Sequence, residues 1–366
     1  MIEGEWKNKP ILFPCRVGDF PFDIFSCIFY CLGGYLENGN RAKLDVHNRP
    51  HVSANWFYQK GYFQFPLLDW WVREFGIALE IHFGVSLKPD KEQSATWIST
   101  LDVDFGYKYK GKGIFRTLGA SVKGILRGHL AAELERWKVL FLNKKDPWDV
   151  YQDFADFHEG LGIDHRVFIL HGPRNKFDRA LDWRSNPQKR LLSRLKQLGL
   201  HLGLHPGYIA NASKKKLLAY KKHLESLVQG DIQSNRMHYL KFWYPESFII
   251  LDELGFKEDF SLGYADTPGF RWGSCHPSNF YDLRQERTTS LLLFPSAFME
   301  ASFQHYQQNI HEQEISTLWW KMVDAVKEYN GVFVSIIHEN NFGRQKFLTE
   351  LYQQSAETFK KVPSSQ

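Results

Sequence analysis

Four cysteines in 366 residues, none in a CxxC pair or at metal-ligand spacing, leave neither a disulfide framework nor a thiolate metal site to read. Cys27 and Cys31 stand four apart in an apolar stretch, the spacing of one helix face, and are expected to pack there rather than pair. The chain does not open with a charged segment followed by an apolar one, so no secretory leader is expected. The most apolar early stretch, 22–36, is too short to cross a bilayer and contains Asp23. The expectation is a cytoplasmic protein without a membrane span. Hydrophobic content of 43% with 24% charged residues excludes the disordered and fibrous classes. The densest basic run, Lys214–Lys216 with Lys221 and Lys222, falls in a helical pattern and reads as a solvated helix face, not as a nucleic-acid patch.

What the sequence has in plenty is aromatic residues, 16% of the chain, material for a large core and for stacking on sugar rings. Its length leaves room for two domains. Residues 1–92 are loop-rich, without clear strand–helix alternation, and are expected to form a small N-terminal α+β domain ending in the polar connector 88–93 (KPDKEQ). From about residue 95 short apolar runs alternate with amphipathic helical patterns. Strands are predicted over 95–103, 166–170, 200–204, 289–294 and 332–337, and 232–240 leads towards another. Helices are predicted from Ser185-Asn186-Pro187 to Gly199, over 213–228 closed by Gly230, over 245–254 ended by Gly255, and over 310–329 ended by Gly331. This alternation predicts an α/β fold over 93–350, a parallel sheet with crossover helices, open or closed into a barrel, with 351–366 as a tail.

In such folds the reactive residues gather at the C-terminal ends of the strands. Just past predicted strand ends stand Asp102, Asp104, His171, His205, His238 and His338. Asp102 and Asp104 are two apart and so on one face of a strand. Two carboxylates that close repel unless a cation or a shared proton relieves them. His201 would lie about 13 Å from His205 along a strand, too far to share an ion, and is expected to be structural. Asp, His and His from separate strand ends match the facial ligand set that holds Zn²⁺, Fe²⁺ or Co²⁺ with positions open for water and substrate.

Five stretches, in this order, resemble the motifs of polysaccharide deacetylases of the NodB-homology type (carbohydrate esterase family 4). They are TLDVD (100–104), GLHLGLHPGY (199–208), RMHYLKFWYPESF (236–248), DFSLGYADTPGFRWGSC (259–275) and SIIHENN (335–341). YKYKGKG (107–113) and the forms of the third and fourth stretches are similar to a variant branch. That branch often carries an N-terminal domain of unknown function, which 23–30 (DIFSCIFY) and 62–70 (YFQFPLLDW) resemble. The resemblance covers nearly the whole chain.

The resemblance implies a distorted, seven-stranded (β/α) barrel. It also implies a hydrolase that removes N- or O-linked acetyl groups from a carbohydrate with a divalent metal, Zn²⁺ foremost, Fe²⁺, Co²⁺ or Ni²⁺ as alternatives. In that scheme Asp102 is the general base, Asp104 and His205 bind metal, and His338 is the general acid. Arg236 and Arg271 orient the base or bind polar sugar groups, and Tyr208 belongs to the substrate groove; Asp178, by its place after the predicted strand 166–170, is expected to line that groove. One position departs: the family's second motif has a further histidine four residues after the first, and Ile209 stands there. His238, inserted in the third stretch, is the candidate replacement ligand. The departure keeps two other readings open, a carbohydrate-binding pseudoenzyme and a hydrolase of C–N bonds in a small non-sugar amide.

Overall fold

Strand β3 (Thr96–Val103) shows how the sequence builds the barrel. Ile98, Thr100 and Asp102 point inward, while Trp97, Leu101 and Val103 pack outward under the helices. The structure, a computed structural model, describes residues 2–37, 43–87, 94–307 and 309–360. The connector expected at 88–93 lies outside the described residues. β3 pairs in parallel with β4 (Asp164–His171) on one side and β10 (Val332–His338) on the other. The order continues through β5 (Leu202–Pro206), β6 (Ser234–Asn235), β7 (Glu258–Leu262) and β9 (Arg287–Met299). β9 then pairs with β10 and closes a seven-stranded parallel barrel.

The barrel is distorted, as the resemblance implies. β6 is only 2 residues long, and the register shifts within the β7–β9 and β10–β9 pairings. A strand absent from the sequence reading, β8 (Ser278–Asp282), joins β9 in antiparallel. The interior fills in layers. At the base Arg166 grips Glu258 through Nε and Nη2, both at 3.0 Å. Above it Ile98, Phe168, Phe260, Phe294 and Val334 form a small apolar plug. Gly203 on β5 is required here, because a Cβ would come within 2.6 Å of the Phe168 ring. The Arg236 guanidinium lies over that ring, 4.4 Å from its centroid, and carries the interior up to the polar layer of the site.

Helices α7 (Asn186–Gln197) and α9 (Glu246–Glu253) lie where the sequence places them. Ser185 caps α7 by accepting the Gln188 N–H, with Pro187 in the first turn, and Gly255 ends α9 at φ +76°. α8 (Lys214–Val228) ends on Gln229 in the left-handed region, one residue before the expected Gly230. Residues 351–359, expected as part of a tail, instead continue α12 (Lys346–Phe359). Leu348, Leu351, Tyr352, Ala356 and Phe359 recur at helical spacing, and Tyr352 and Phe359 close on Trp97. Between β3 and β4 the chain forms three helices that the sequence reading does not foresee: α4 (Ile114–Leu126), α5 (Leu130–Phe141) and α6 (Tyr151–His158).

The N-terminal region has the expected α+β character. A hairpin, β1 (Glu3–Trp6) with β2 (Lys9–Leu12), precedes α1 (Ile24–Leu32), α2 (Trp56–Gln59) and α3 (Leu67–Phe83). Cys27 and Cys31 are free and buried on one face of α1, the packing role expected of them. The hairpin shares no pairing with the barrel strands, yet one continuous apolar cluster joins the region to the barrel.

Candidate metal centre

The C-terminal ends of β3 and β5, and the turn after β6, converge on one point. Asp104 follows β3, His205 lies in β5, and His238 follows β6; their ligand atoms all lie within 4.8 Å of one another. His205 Nε2 is 3.5 Å from Asp104 Oδ1, and His238 Nε2 is 3.6 Å from Asp104 Oδ2. Each ring is fixed from behind. His205 Nδ1 donates to the Arg236 carbonyl at 2.6 Å, and His238 Nδ1 donates to Asp178 Oδ1 at 2.8 Å. That assignment leaves both Nε2 lone pairs aimed at the Asp104 carboxylate. Asp104 Oδ1 is buried without a hydrogen bond. A carboxylate oxygen in want of a partner, facing two fixed imidazole nitrogens, suits a divalent cation.

The electrostatics agree. Burial opposes ionisation of Asp104, but His238, His205 and His338 together outweigh it and hold the carboxyl well below its usual range. Burial likewise opposes a charge on His238, yet Asp104 and then Asp178 raise its pKa to about 9. Without a cation the cluster therefore holds a proton where positive charge is wanted, and a bound cation would displace it. A second grouping, Asp69, Cys275 and His276, does not suit an ion. Both Asp69 oxygens already accept hydrogen bonds, from the Ser274 hydroxyl and the Cys275 N–H, and burial pushes the Cys275 thiol up.

Beside the cluster, Asp102 Oδ2 faces His205 Nε2 at 3.8 Å, while its Oδ1 accepts from Arg236 Nη1 at 2.7 Å. Arg236 is fully buried and also donates to Thr100 Oγ1 and to the Phe260 carbonyl, so it positions Asp102 from below and does not line the cavity. His338 stands at the end of β10, with Nε2 3.8 Å from Asp104 Oδ2 and Nδ1 2.8 Å from Glu300 Oε1. Burial opposes its charge, but Glu300, then Asp104 and Asp102, raise its pKa well above the usual value. Of these six residues all but Arg236 line a cavity of about 370 Å³ walled by Phe105, Phe177, Tyr239, Tyr306, Lys176 and Arg179.

Other expectations meet a different fate. Asp178 does not line the cavity: it is buried, and its carboxylate is engaged by His238, the Tyr208 N–H and the Asn175 amide. Arg271 lies away from the cavity, clamped on Glu37 at 2.7 and 2.9 Å, a buried pair between the N-terminal region and the barrel. Tyr208 is half-buried, stacked on Phe177 at 4.0 Å, and its hydroxyl meets His47 Nδ1 at 3.2 Å. His171 turns outward by strand alternation and pairs with His223 at 2.9 Å. His201 lies at the opposite end of the barrel, 3.7 Å from Asp164. Ile209 is 48% exposed on the loop after β5, while His238 is grouped with Asp104 and His205 among the described residues.

Two acids escaped the sequence reading. Glu339 is buried and accepts the N–H groups of Asp104, Phe105 and Gly106, fixing the turn that presents Asp104. Burial, reinforced by Asp104, raises its pKa to about 7. Glu300, at the end of β9, orients His338; drawing that strand to its full length would have exposed it to the same strand-end rule. The N-terminal region reaches the rim as well, where Arg49 donates to the Tyr239 carbonyl and, at 3.1 Å, to the Tyr306 hydroxyl. Asp178→Ala is expected to lower metal affinity by about 10–100-fold without unfolding the chain, because His238 loses the partner that aims it. Isothermal titration with Zn²⁺ checks this, and unchanged affinity would return Asp178 to the substrate groove.

Residues 1–84 match a family of unknown function, DUF7033. No curated protein matches the sequence. Among solved structures, a Mycobacterium smegmatis protein described as a polysaccharide deacetylase is similar at 12% identity, over 74% of this chain and 86% of that one, with TM-score 0.46. The PuuE allantoinase is similar at 13% identity, over 75% and 90%, with TM-score 0.45. A Pseudomonas aeruginosa PAO1 protein, likewise described as a polysaccharide deacetylase, is similar at 14% identity, over 74% and 87%, with TM-score 0.43.

Proposed function

We propose that the chain is a divalent-metal-dependent hydrolase that removes acetyl groups from a carbohydrate. The observation that carries this reading is the convergence of Asp104 with the Nε2 atoms of His205 and His238, each ring held through its Nδ1. A cation held by these three would polarise an acyl carbonyl and acidify water. Asp102, tied to Arg236 through one oxygen, takes the proton of the attacking water with the other. His338, protonated and held by Glu300, gives a proton to the departing amine or alkoxide as the bond from carbonyl carbon to nitrogen or oxygen breaks. Acetate and a free amine or hydroxyl are the products. Phe177, Tyr239 and Tyr306 offer flat faces of the kind on which sugar rings stack.

The purified chain should carry about one Zn²⁺, Fe²⁺, Co²⁺ or Ni²⁺ ion per chain. His205→Ala and His238→Ala should each lose it, and His201→Ala should keep it. Mass spectrometric metal analysis reads this directly, and equal loss in all three variants would overturn the ligand set. The metal-loaded chain should release acetate from acetylated oligosaccharides. A parent chain that binds no metal points to the pseudoenzyme reading, and turnover confined to a small non-sugar amide transfers the activity to C–N hydrolysis of that class.

A further inference from the structure

The helical hairpin α4–α5 is packed the wrong way round for a soluble surface. On α4 the side chains of Ile114, Phe115, Leu118, Val122, Ile125 and Leu126 are all exposed, Phe115 by 89% and Leu126 by 81%. At 3.6 residues per turn they fill one sector of about 120°. The inner face is made of small residues: Ser121 is buried, and a Cβ on Gly124 would meet Glu133 Oε1 at 2.2 Å. α5 repeats the pattern with Leu130, Leu134, Trp137 and Phe141, the last two rings stacked at 4.9 Å. A contiguous apolar face of this extent marks a contact surface.

Charge identifies the contact. Between Tyr107 and Lys145 the sequence has ten Lys or Arg and two acids, Glu133 and Glu135. Both acids are neutralised locally, by Arg136 at 3.0 Å and by Lys108 at 2.6 Å. The remainder of the chain is slightly acidic, so the formal excess of +5 belongs to this hairpin and its flanks. Exposed Lys123 stands about 60° beyond the edge of the apolar sector of α4, and exposed Arg127 follows as the residue that caps the helix. An exposed apolar surface carrying Phe, Trp and Leu on a strongly basic hairpin suits the interface of an anionic lipid layer. A second copy of the chain would bring like charge against like. We propose that the α4–α5 hairpin docks on an anionic membrane surface. It is rooted at the rim of the site, since it follows the turn of Asp104 and Phe105, and Lys112 Nζ lies 5.6 Å from the centre of the Phe105 ring that walls the cavity. The docking itself is independent of what the site hydrolyses.

The test is co-sedimentation of the full chain with vesicles of phosphatidylcholine alone or with about 30% phosphatidylglycerol. Binding is expected to the anionic vesicles and to weaken with salt. Phe115→Asp/Leu126→Asp should lower it more than about a hundredfold, with an unchanged unfolding midpoint because both side chains already face solvent. Lys123→Glu/Arg127→Glu should lower it about tenfold or more. Lys215→Glu/Lys222→Glu, the same change of charge on exposed positions of α8, should leave it within about twofold. Absence of binding to anionic vesicles overturns the proposal, as does an equal loss in the α8 variant. So does light scattering that shows a dimer, broken by Phe115→Asp/Leu126→Asp, in a chain that ignores vesicles.

Discussion

Asp102→Asn is expected to lower kcat by roughly 10²–10⁴-fold, the usual cost of losing a positioned general base, while metal content stays near that of the parent. The amide keeps an acceptor for Arg236 Nη1, which lies 2.7 Å from Oδ1 in the native chain, so the side chain stays in place but cannot take a proton. Asp104→Asn should behave differently. Its oxygens face His205 and His238 at 3.5 and 3.6 Å, and an amide is a poorer ligand than a carboxylate, so metal affinity falls and excess metal restores part of the activity. Titrating both variants with metal while following acetate release decides between the roles. Rescue of the Asp102 variant but not the Asp104 variant would exchange them. Unchanged turnover in both would remove the acidic pair from the catalytic centre.

Arg271→Ala is expected to cost about 3–5 kcal/mol of stability, the range found when one partner of a buried ion pair is removed. Glu37 and Arg271 are buried, 7% and 3% exposed, and the guanidinium also donates to the Gly263 carbonyl at 2.8 Å. Burial works against the charge on Arg271, and Glu37 outweighs it. Removing the arginine leaves Glu37 charged in the seam between the N-terminal region and the barrel. Removing both charges in Arg271→Met/Glu37→Leu should recover part of the loss, because the desolvation penalty goes with them. Urea unfolding measures the difference, with metal content and KM of the folded protein as companions. A raised KM at unchanged stability would restore Arg271 to the substrate site.

The contrast between Arg236 and Arg271 shows where sequence reading stops. Both arginines lie in stretches that resemble deacetylase motifs, and both were candidates for the groove. Arg236 is brought beneath Asp102 and stays with the site, while Arg271 is spent on holding two parts of the chain together. Nothing local distinguishes them, since the partner that decides each role is 134 residues away in one case and 234 in the other. Asp178 is a parallel case: its place after a strand suggests the groove, but its carboxylate meets a histidine 60 residues further on.

The periodicity of the chain determined by itself a parallel sheet with crossover helices, and closure into a seven-stranded barrel rested on the family resemblance. Alternating apolar runs and amphipathic helices left few ways to bury both faces of a parallel sheet, and the strand-end rule selected Asp102, Asp104, His205, His238 and His338. It also selected His171, because a strand end fixes a position along the axis but not which side of the sheet a side chain takes. The two-residue strand β6 falls below what local pattern resolves, whereas α4 and α12, at 13 and 14 residues, carry a helical period that is present in the sequence. Only the tertiary structure decided which histidines face Asp104, which acids hold them, and that the apolar sector of α4 faces outward. Those are contacts between residues far apart in sequence, and they exist only once the barrel has closed.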